Sequence, residues 1–263
     1  MTDPIDPAHL ATLQEKYLVL HEFVREAKNR LDANIWDYLT GATETETTMR
    51  RNRMGLDSLA FRPRVLRDVS KIDTTHKVLG RVIRLPVLLA PVGGLESIAV
   101  GGNGAATAGP GASAFNVPIM VSSVTQPALD VTAAATPGMK IYQLYVRGDA
   151  DAIEASIQAA LANGYDAFCL TVDTAIYSRR ERDIARRFAK PWRATATPTG
   201  QHYQAALNWS DVARIKEKHP KLPLILKGIA TAEDALIACQ HGVEVVYVSN
   251  HGGRQLDSGR GSI

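Results

Sequence analysis

VEVVYVSNHGGRQLD (residues 243–257) joins an apolar run directly to a histidine, two glycines, an arginine and an aspartate. Val243 to Val248 are mostly β-branched or aromatic and read as a strand buried on both faces. Everything polar then gathers at its C-terminal end. Gly252 and Gly253 permit a sharp turn or a close approach of backbone to a ligand. A neutral histidine and a cation three residues on can serve an acid and an anion in one site. A plain strand-to-helix turn with a surface His and Arg is the alternative. The rule that ligands collect at strand C-termini in α/β folds favours a site.

The same pattern recurs upstream. LPVLLAP (85–91), PIMVSS (118–123), IYQLYV (141–146), AFCLTVD (167–173) and LPLILKG (222–228) join VVYVSN (245–250) as six candidate strands. Helical stretches separate most of them, at 102–115, 126–135, 149–164, 210–219 and 231–242. Thr231 caps the last of these and Gly242 ends it. Strands alternating with helices imply right-handed βαβ units and a parallel sheet. Ser122, Ser123, Gln143, Tyr145, Thr171, Asp173, Lys227, Ser249, Asn250 and His251 all fall at or just past strand C-termini. The interior of a parallel barrel is normally filled by branched apolar residues, so polar residues recurring at one end of five strands point to one shared site. No G-x-G-x-x-G follows a strand, and GGNG (101–104) matches a phosphate loop only weakly, which disfavours a nicotinamide-binding domain.

Composition narrows the classes. The chain has 263 residues, 45% hydrophobic and 22% charged, enough for one α/β barrel or two domains. A net charge of +3 is too small and dispersed for a nucleic-acid partner, and the basic stretch SRRERDIARR (178–187) is interleaved with acids. Cys169 and Cys239 lie in apolar surroundings without a Cys or His at ligand spacing, so both read as buried thiols, with no metal site, in a reducing cytoplasm. The N-terminus has no signal pattern and no apolar run approaches the ~20 residues that span a bilayer, so no membrane partner is expected. Residues 1–84 read as an N-terminal helical extension and connection, and 85–263 as the barrel. Within the latter, 181–208 lacks periodicity and reads as a lid.

With SNHGGRQLD stand LTVDT (170–174), RRERD (179–183), YQLY (142–145), LAPVG (89–93), LKGIATAEDA (226–235) and WDYLTGA (36–42). Together and in this order they resemble the FMN-dependent 2-hydroxy acid oxidases and dehydrogenases, the family of glycolate oxidase, lactate oxidase, lactate monooxygenase and mandelate dehydrogenase. The resemblance implies a TIM-type (β/α)8 barrel carrying FMN at its C-terminal mouth. It implies oxidation of a small L-2-hydroxy acid to its 2-oxo acid, with reoxidation by oxygen or another acceptor, in a homo-oligomer. By the same resemblance His251 is the base that takes the substrate proton and Asp173 its carboxylate partner, which orients the ring and stabilises the imidazolium. Arg180 and Arg254 match a clamp on the substrate carboxylate, a task suited to planar, permanently charged groups. Tyr38 and Tyr145 match substrate-holding hydroxyls. Lys227 matches a lysine beside the flavin that favours its anionic reduced form. Pro91, Val92, Gly93, Ser122, Gln143, Thr171 and Ser249 match further flavin contacts. Gly93, where some relatives carry alanine, is expected to leave room beside the ring.

Two features depart from the family pattern. AGPGAS (108–113) places Gly-Pro-Gly inside an expected helix, which should break or kink there, since proline costs roughly 3 kcal/mol in a helix interior. The sequence also stops at Ile263, after about six of the eight expected strands. The alternative expectation is therefore a truncated, non-catalytic paralogue or subunit that needs a further C-terminal segment to hold flavin.

Overall fold

The computed structural model describes residues 7–188 and 204–263. Four helices come first: α1 (Pro7–Lys16), α2 (Leu20–Arg30), α3 (Ala33–Thr40) and α4 (Thr47–Asp57). An antiparallel hairpin follows, β1 (His76–Val78) and β2 (Arg81–Ile83). Helices and strands then alternate: α5 (Gly104–Phe115), β3 (Ile119–Ser122), α6 (Leu129–Ala135), β4 (Lys140–Leu144), α7 (Ala150–Ala162) and β5 (Ala167–Thr171). They continue with α8 (Glu181–Ala185), α9 (Trp209–Lys218), β6 (Leu224–Ile229), α10 (Ala232–Gln240) and β7 (Val245–Val248). The five strands β3 to β7 pair in chain order and all run parallel. This is the (β/α) barrel arrangement, represented by five strands among the described residues.

The two-residue period of the strands divides their side chains between two faces. Ile119, Val121, Leu144, Phe168, Leu170, Leu224 and Leu226 pack with Ile153 and Ile157 of α7 and Val212 and Ile215 of α9. Met120, Ile141, Cys169 and Ile225 form a second cluster on the opposite face. One further step of two along that face reaches Ser122, Gln143, Thr171 and Lys227, all buried. The polar strand ends therefore converge on the inner side of the curved sheet. Local chemistry sets the helix ends as expected: Asp149 accepts from the Asp151 and Ala152 amides at 3.1 and 3.0 Å to cap α7. Thr231 accepts from the Asp234 amide at 3.2 Å to cap α10, and Gly242 follows it at φ +71°.

Four expectations are corrected. LPVLLAP forms no strand; Leu89 alone makes a parallel bridge to Ile119, with Leu89 N donating to Pro118 O and Met120 N to Leu89 O, each 2.9 Å. Pro86 and Pro91 bound this segment and supply no N–H, so a longer ladder cannot form. The run 243–248 is a four-residue strand, half-buried, with Val248 exposed, because among the described residues β7 pairs with β6 on one side only. Cys239 is exposed, whereas Cys169 is buried.

The last correction concerns α5, which runs unbroken through Pro110. Small residues make this possible, because α5 lies so close to α6 that a Cβ on Gly109 would stand 1.9 Å from Thr136 Oγ1. Packing of Ala105, Ala106, Gly109 and Ala112, all buried, outweighs the lost hydrogen bond. Two neighbouring glycines of α5 should therefore respond with opposite signs. Gly109→Ala is expected to destabilise by ~1–3 kcal/mol through overpacking. Gly111→Ala, whose added Cβ would meet nothing within 4 Å, should stabilise by ~0.5–1 kcal/mol. Urea unfolding of the two variants checks the pair, and equal shifts would contradict this packing.

Candidate active site

His251 follows β7 in a 3₁₀ turn, His251–Gly253. Its backbone is left-handed at φ +59°, and Gly252 and Gly253 follow at +64° and +75°. For a residue with a Cβ this conformation costs roughly 1–2 kcal/mol, so the surroundings must hold it. Two contacts do so from outside the sheet. Gly253 lies against α4 so tightly that a Cβ would stand 2.5 Å from Met49 N. Asp257 accepts from the Thr45 and Thr48 amides at 2.8 and 2.9 Å, satisfying the α4 N-terminus from the far end of the chain. Gly253 thus serves a close backbone approach to a helix, whereas a Cβ on Gly252 would stand 2.5 Å from Arg254 Nη1.

The imidazole is held at both nitrogens. Nδ1 lies 2.9 and 3.1 Å from the two Asp173 carboxylate oxygens and 3.2 Å from Lys227 Nζ. Nε2 lies 2.8 Å from the Tyr145 hydroxyl. A carboxylate can only accept, so Nδ1 carries the proton and donates to Asp173, and Lys227 stays a neighbouring charge. Nε2 is then left with a lone pair that accepts from Tyr145. Burial pushes the His251 pKa below its ordinary 6.5; Asp173 opposes this by hydrogen bond and charge, while Lys227 and Arg180 add to it. Burial likewise lowers the Lys227 pKa against the pull of Asp173, and raises that of Tyr145 with help from Asp173. The ring is therefore a neutral acceptor at physiological pH.

A cavity of about 580 Å³ opens beside Nε2. Tyr38, Pro91, Val92, Gly93, Tyr145, Arg180, Lys227, Ser249, His251 and Arg254 all line it, so ten of the residues picked from the sequence share one wall. Asp173, Ser122, Gln143 and Thr171 do not line the cavity, and Asp173 reaches it through its bond to His251. Arg180 Nη1 donates to Tyr38 O at 3.1 Å and its guanidinium lies 4.9 Å from the Tyr38 ring, yet its buried Nε has no hydrogen-bond partner among the described residues. Arg254 donates to Leu39 O and, at 3.2 Å, to Gly252 O. Burial and the charge of Arg180 both depress the Arg254 pKa. Two cations pressed together against burial, with an N–H unused, describe a site for an anion. The charged residues on the cavity wall are Arg147, Arg180, Lys227 and Arg254, all cationic.

The residues expected to hold flavin can be tested against the chemistry of its ring. Gln143 Nε2 donates to Thr171 Oγ1 at 2.7 Å, but Gln143 Oε1 is buried without a hydrogen-bond partner among the described residues. An acceptor so placed fits the imide N–H of a flavin, and the Lys227 ammonium fits a ring that gains negative charge. The room expected at Gly93 is taken: a Cβ there would stand 2.6 Å from Val124 Cγ2.

Sequence reasoning missed several contributors. Gln204 bridges two strand ends, accepting from Val146 N at 2.7 Å and donating to Thr171 O at 3.1 Å. Gln255 donates to Asp173 O at 3.3 Å. Neither carries a local sequence signal. Of the expected lid, 181–185 is helix α8; its C-cap Arg186 pairs with Asp37 of α3 and its Arg182 with Glu46, the N-cap of α4, and residues 189–203 lie outside the described residues.

Residues 27–263 match the FMN-dependent dehydrogenase family. Spinacia oleracea glycolate oxidase is 35% identical over 258 residues, covering 90% of this chain and 69% of the relative. L-lactate oxidase from Nostoc sp. is 33% identical, covering 93% and 73%. A solved mandelate oxidase superposes with a TM-score of 0.83 at 32% identity, over 92% of this chain and 71% of that one. Another structure of that enzyme is described as carrying a C4a-OH-FMN adduct. A parallel barrel sheet, a histidine–aspartate pair and a cationic cavity at its mouth define the class, and the chain belongs to the FMN-dependent dehydrogenase family. FMN is that family's cofactor, and the relatives named are oxidases of 2-hydroxy acids. Among the described residues no helix is long and apolar enough to cross a membrane.

The two neighbours of Nδ1 should move the His251 pKa in opposite directions. Asp173→Asn removes the group that raises it and should lower the pKa further. Lys227→Met removes a cation that lowers it and should raise the pKa. Titration of the 13C-labelled imidazole by NMR reads both, and a rise in Asp173→Asn would overturn this electrostatic picture.

Proposed function

We propose that this chain oxidises a small L-2-hydroxy acid to the 2-oxo acid, with FMN as electron acceptor and oxygen or another acceptor reoxidising it. The observation that carries the reading is an imidazole with Nδ1 held by Asp173 and Nε2 turned to a cavity walled by two arginines. Arg180 and Arg254 take the substrate carboxylate, with the unused Arg180 Nε among the donors. Tyr145 donates to Nε2 in this structure, and on substrate binding passes its hydroxyl to the substrate oxygen, assisted by Tyr38. Nε2 then accepts the substrate proton. Asp173, 2.9 Å from Nδ1, stabilises the imidazolium that results. FMN, when bound, supplies the acceptor for the two electrons that leave C2. Gln143, Thr171, Ser122 and Ser249, with the backbone of Pro91–Gly93, would hold it, and the Lys227 ammonium would stabilise the negative charge it gains.

Two observations support a wider reading, a homo-oligomer in a reducing cytoplasm. Cys169 and Cys239 are both free thiols, and Phe61 and Leu66 present fully exposed apolar side chains.

His251→Gln keeps the ring's polarity but cannot take a proton. In the FMN-loaded protein it should remain yellow and bind substrate, while anaerobic bleaching of the flavin by L-lactate or L-mandelate slows by at least ~100-fold. Stopped-flow absorbance measures the rate, and bleaching at the parent rate would remove His251 from the role of base.

A further inference from the structure

Helix α4 contributes nothing to the cavity wall, yet its Asn52 meets the residue that precedes His251. Asn52 Nδ2 donates to Asn250 Oδ1 at 3.0 Å, and Asn250 Nδ2 donates back to Asn52 Oδ1 at 2.7 Å. The two amides thus form a closed pair across 198 residues of sequence. Asn250 is also the N-cap of the His251 turn, its Oδ1 accepting from Gly253 N at 3.2 Å. Asn250 Nδ2 donates to Arg260 O at 2.9 Å and Asn52 Oδ1 accepts from Ser262 N at 3.1 Å, so the pair also closes the returning loop.

We infer that Asn52 is a positioning residue for the base, fixing the Asn250 cap so that the left-handed His251 turn keeps its imidazole between Asp173 and Tyr145. The other ties of this loop to α4 lie further along it. Thr48 Oγ1 donates to Leu256 O at 2.9 Å and accepts from Gly259 N at 2.8 Å, and Arg51 Nη1 donates to Ser258 O at 2.7 Å. These hold the loop to the helix whether or not Asn52 is present. Gly253 also packs on Met49 of α4, but of the side-chain hydrogen bonds from α4 the amide pair is the one that reaches Asn250, which adjoins His251, where a change of one backbone torsion swings the ring. A strained conformation of this kind persists only while its surroundings over-determine it.

The test compares Asn52→Ala, Asn52→Asp and the parent protein. Asn52→Asp can still accept from Asn250 Nδ2 and Ser262 N but cannot donate to Asn250 Oδ1, so it should fall between the other two. In the FMN-loaded full chain, Asn52→Ala, which removes both bonds of the amide pair, should slow flavin reduction at saturating 2-hydroxy acid by about tenfold, with KM little changed. In the same variant without flavin, NMR should show the His251 pKa rising toward its ordinary value as the ring leaves its buried position. If Asn52→Ala fails to fold, Asn52→Asp and Asn250→Asp carry the same two readings. A lowered melting temperature with both the reduction rate and the His251 pKa unchanged would show a merely structural role and overturn the inference. The inference rests on His251 as base, and the two arms separate the claims. A shifted pKa with an unchanged rate would keep Asn52 as the positioner of the ring and strike out the ring as base.

Discussion

Asp173 reaches His251 only because residue 228 has no side chain. A Cβ on Gly228 would stand 2.6 Å from Asp173 Cβ, and the Gly228 backbone lies at φ +118°, open to glycine and strained for other residues. The pairing of β6 with β7 shifts register between Lys227 and Ile229, so this glycine sits at an irregularity in the ladder. One residue of slack has three effects at once. It lets the segment after β5 close down on β6, it ends the regular ladder beside Lys227, and it brings a carboxylate, an ammonium and an imidazole into one buried volume. The charge balance of the site follows. Burial first, then the charges of Lys227 and Arg180, disfavour the protonated imidazole, and the Asp173 carboxylate opposes them by hydrogen bond and charge.

The rest of the molecule holds that cluster in register. The sheet supplies the floor, because the inner-face positions of β3, β4, β5 and β6 turn polar at their last residues: Ser122, Gln143, Thr171 and Lys227. The helices that precede the sheet supply the roof. α3 brings Tyr38 and the Leu39 carbonyl to the two arginines, and α4 receives the loop that carries His251 and Arg254. Residues more than 200 positions apart thereby depend on one another. A change in α4 should be felt in the loop that carries His251 before it is felt in the sheet.

Much of this was legible in the sequence, for a physical reason. A parallel strand places alternate residues on one face, so an apolar run that turns polar at its end announces both the strand and the side on which a ligand sits. His251, Asp173, Lys227, Arg180 and Arg254 were accessible in that way and by family resemblance. What was not legible depended on distant partners. The short 85–91 segment looks like a strand by composition, but its two prolines limit it to one bridge. Pro110 looks like a helix breaker until α6 presses against Gly109. Val248 looks buried until β7 is known to be the last strand in the order. Asn52 and Gln204 are polar residues without a local motif, and Asp257, though it closes the SNHGGRQLD stretch, gives no sequence sign of its tie to α4; each acts through a contact made by the fold rather than by its neighbours in sequence.

The central claim is that Asp173 fixes the proton of neutral His251 on Nδ1 and leaves Nε2 open to the cavity. Histidine 15N chemical shifts, recorded at a pH above the His251 pKa, read the tautomer directly. The account predicts a protonated Nδ1 and an unprotonated Nε2 for His251, with the Nε2 signal carrying the shift of an acceptor hydrogen-bonded to Tyr145. A proton found on Nε2 would mean that Nδ1 accepts from Lys227 instead, and that Nε2 has no lone pair for the proton transfer proposed for it.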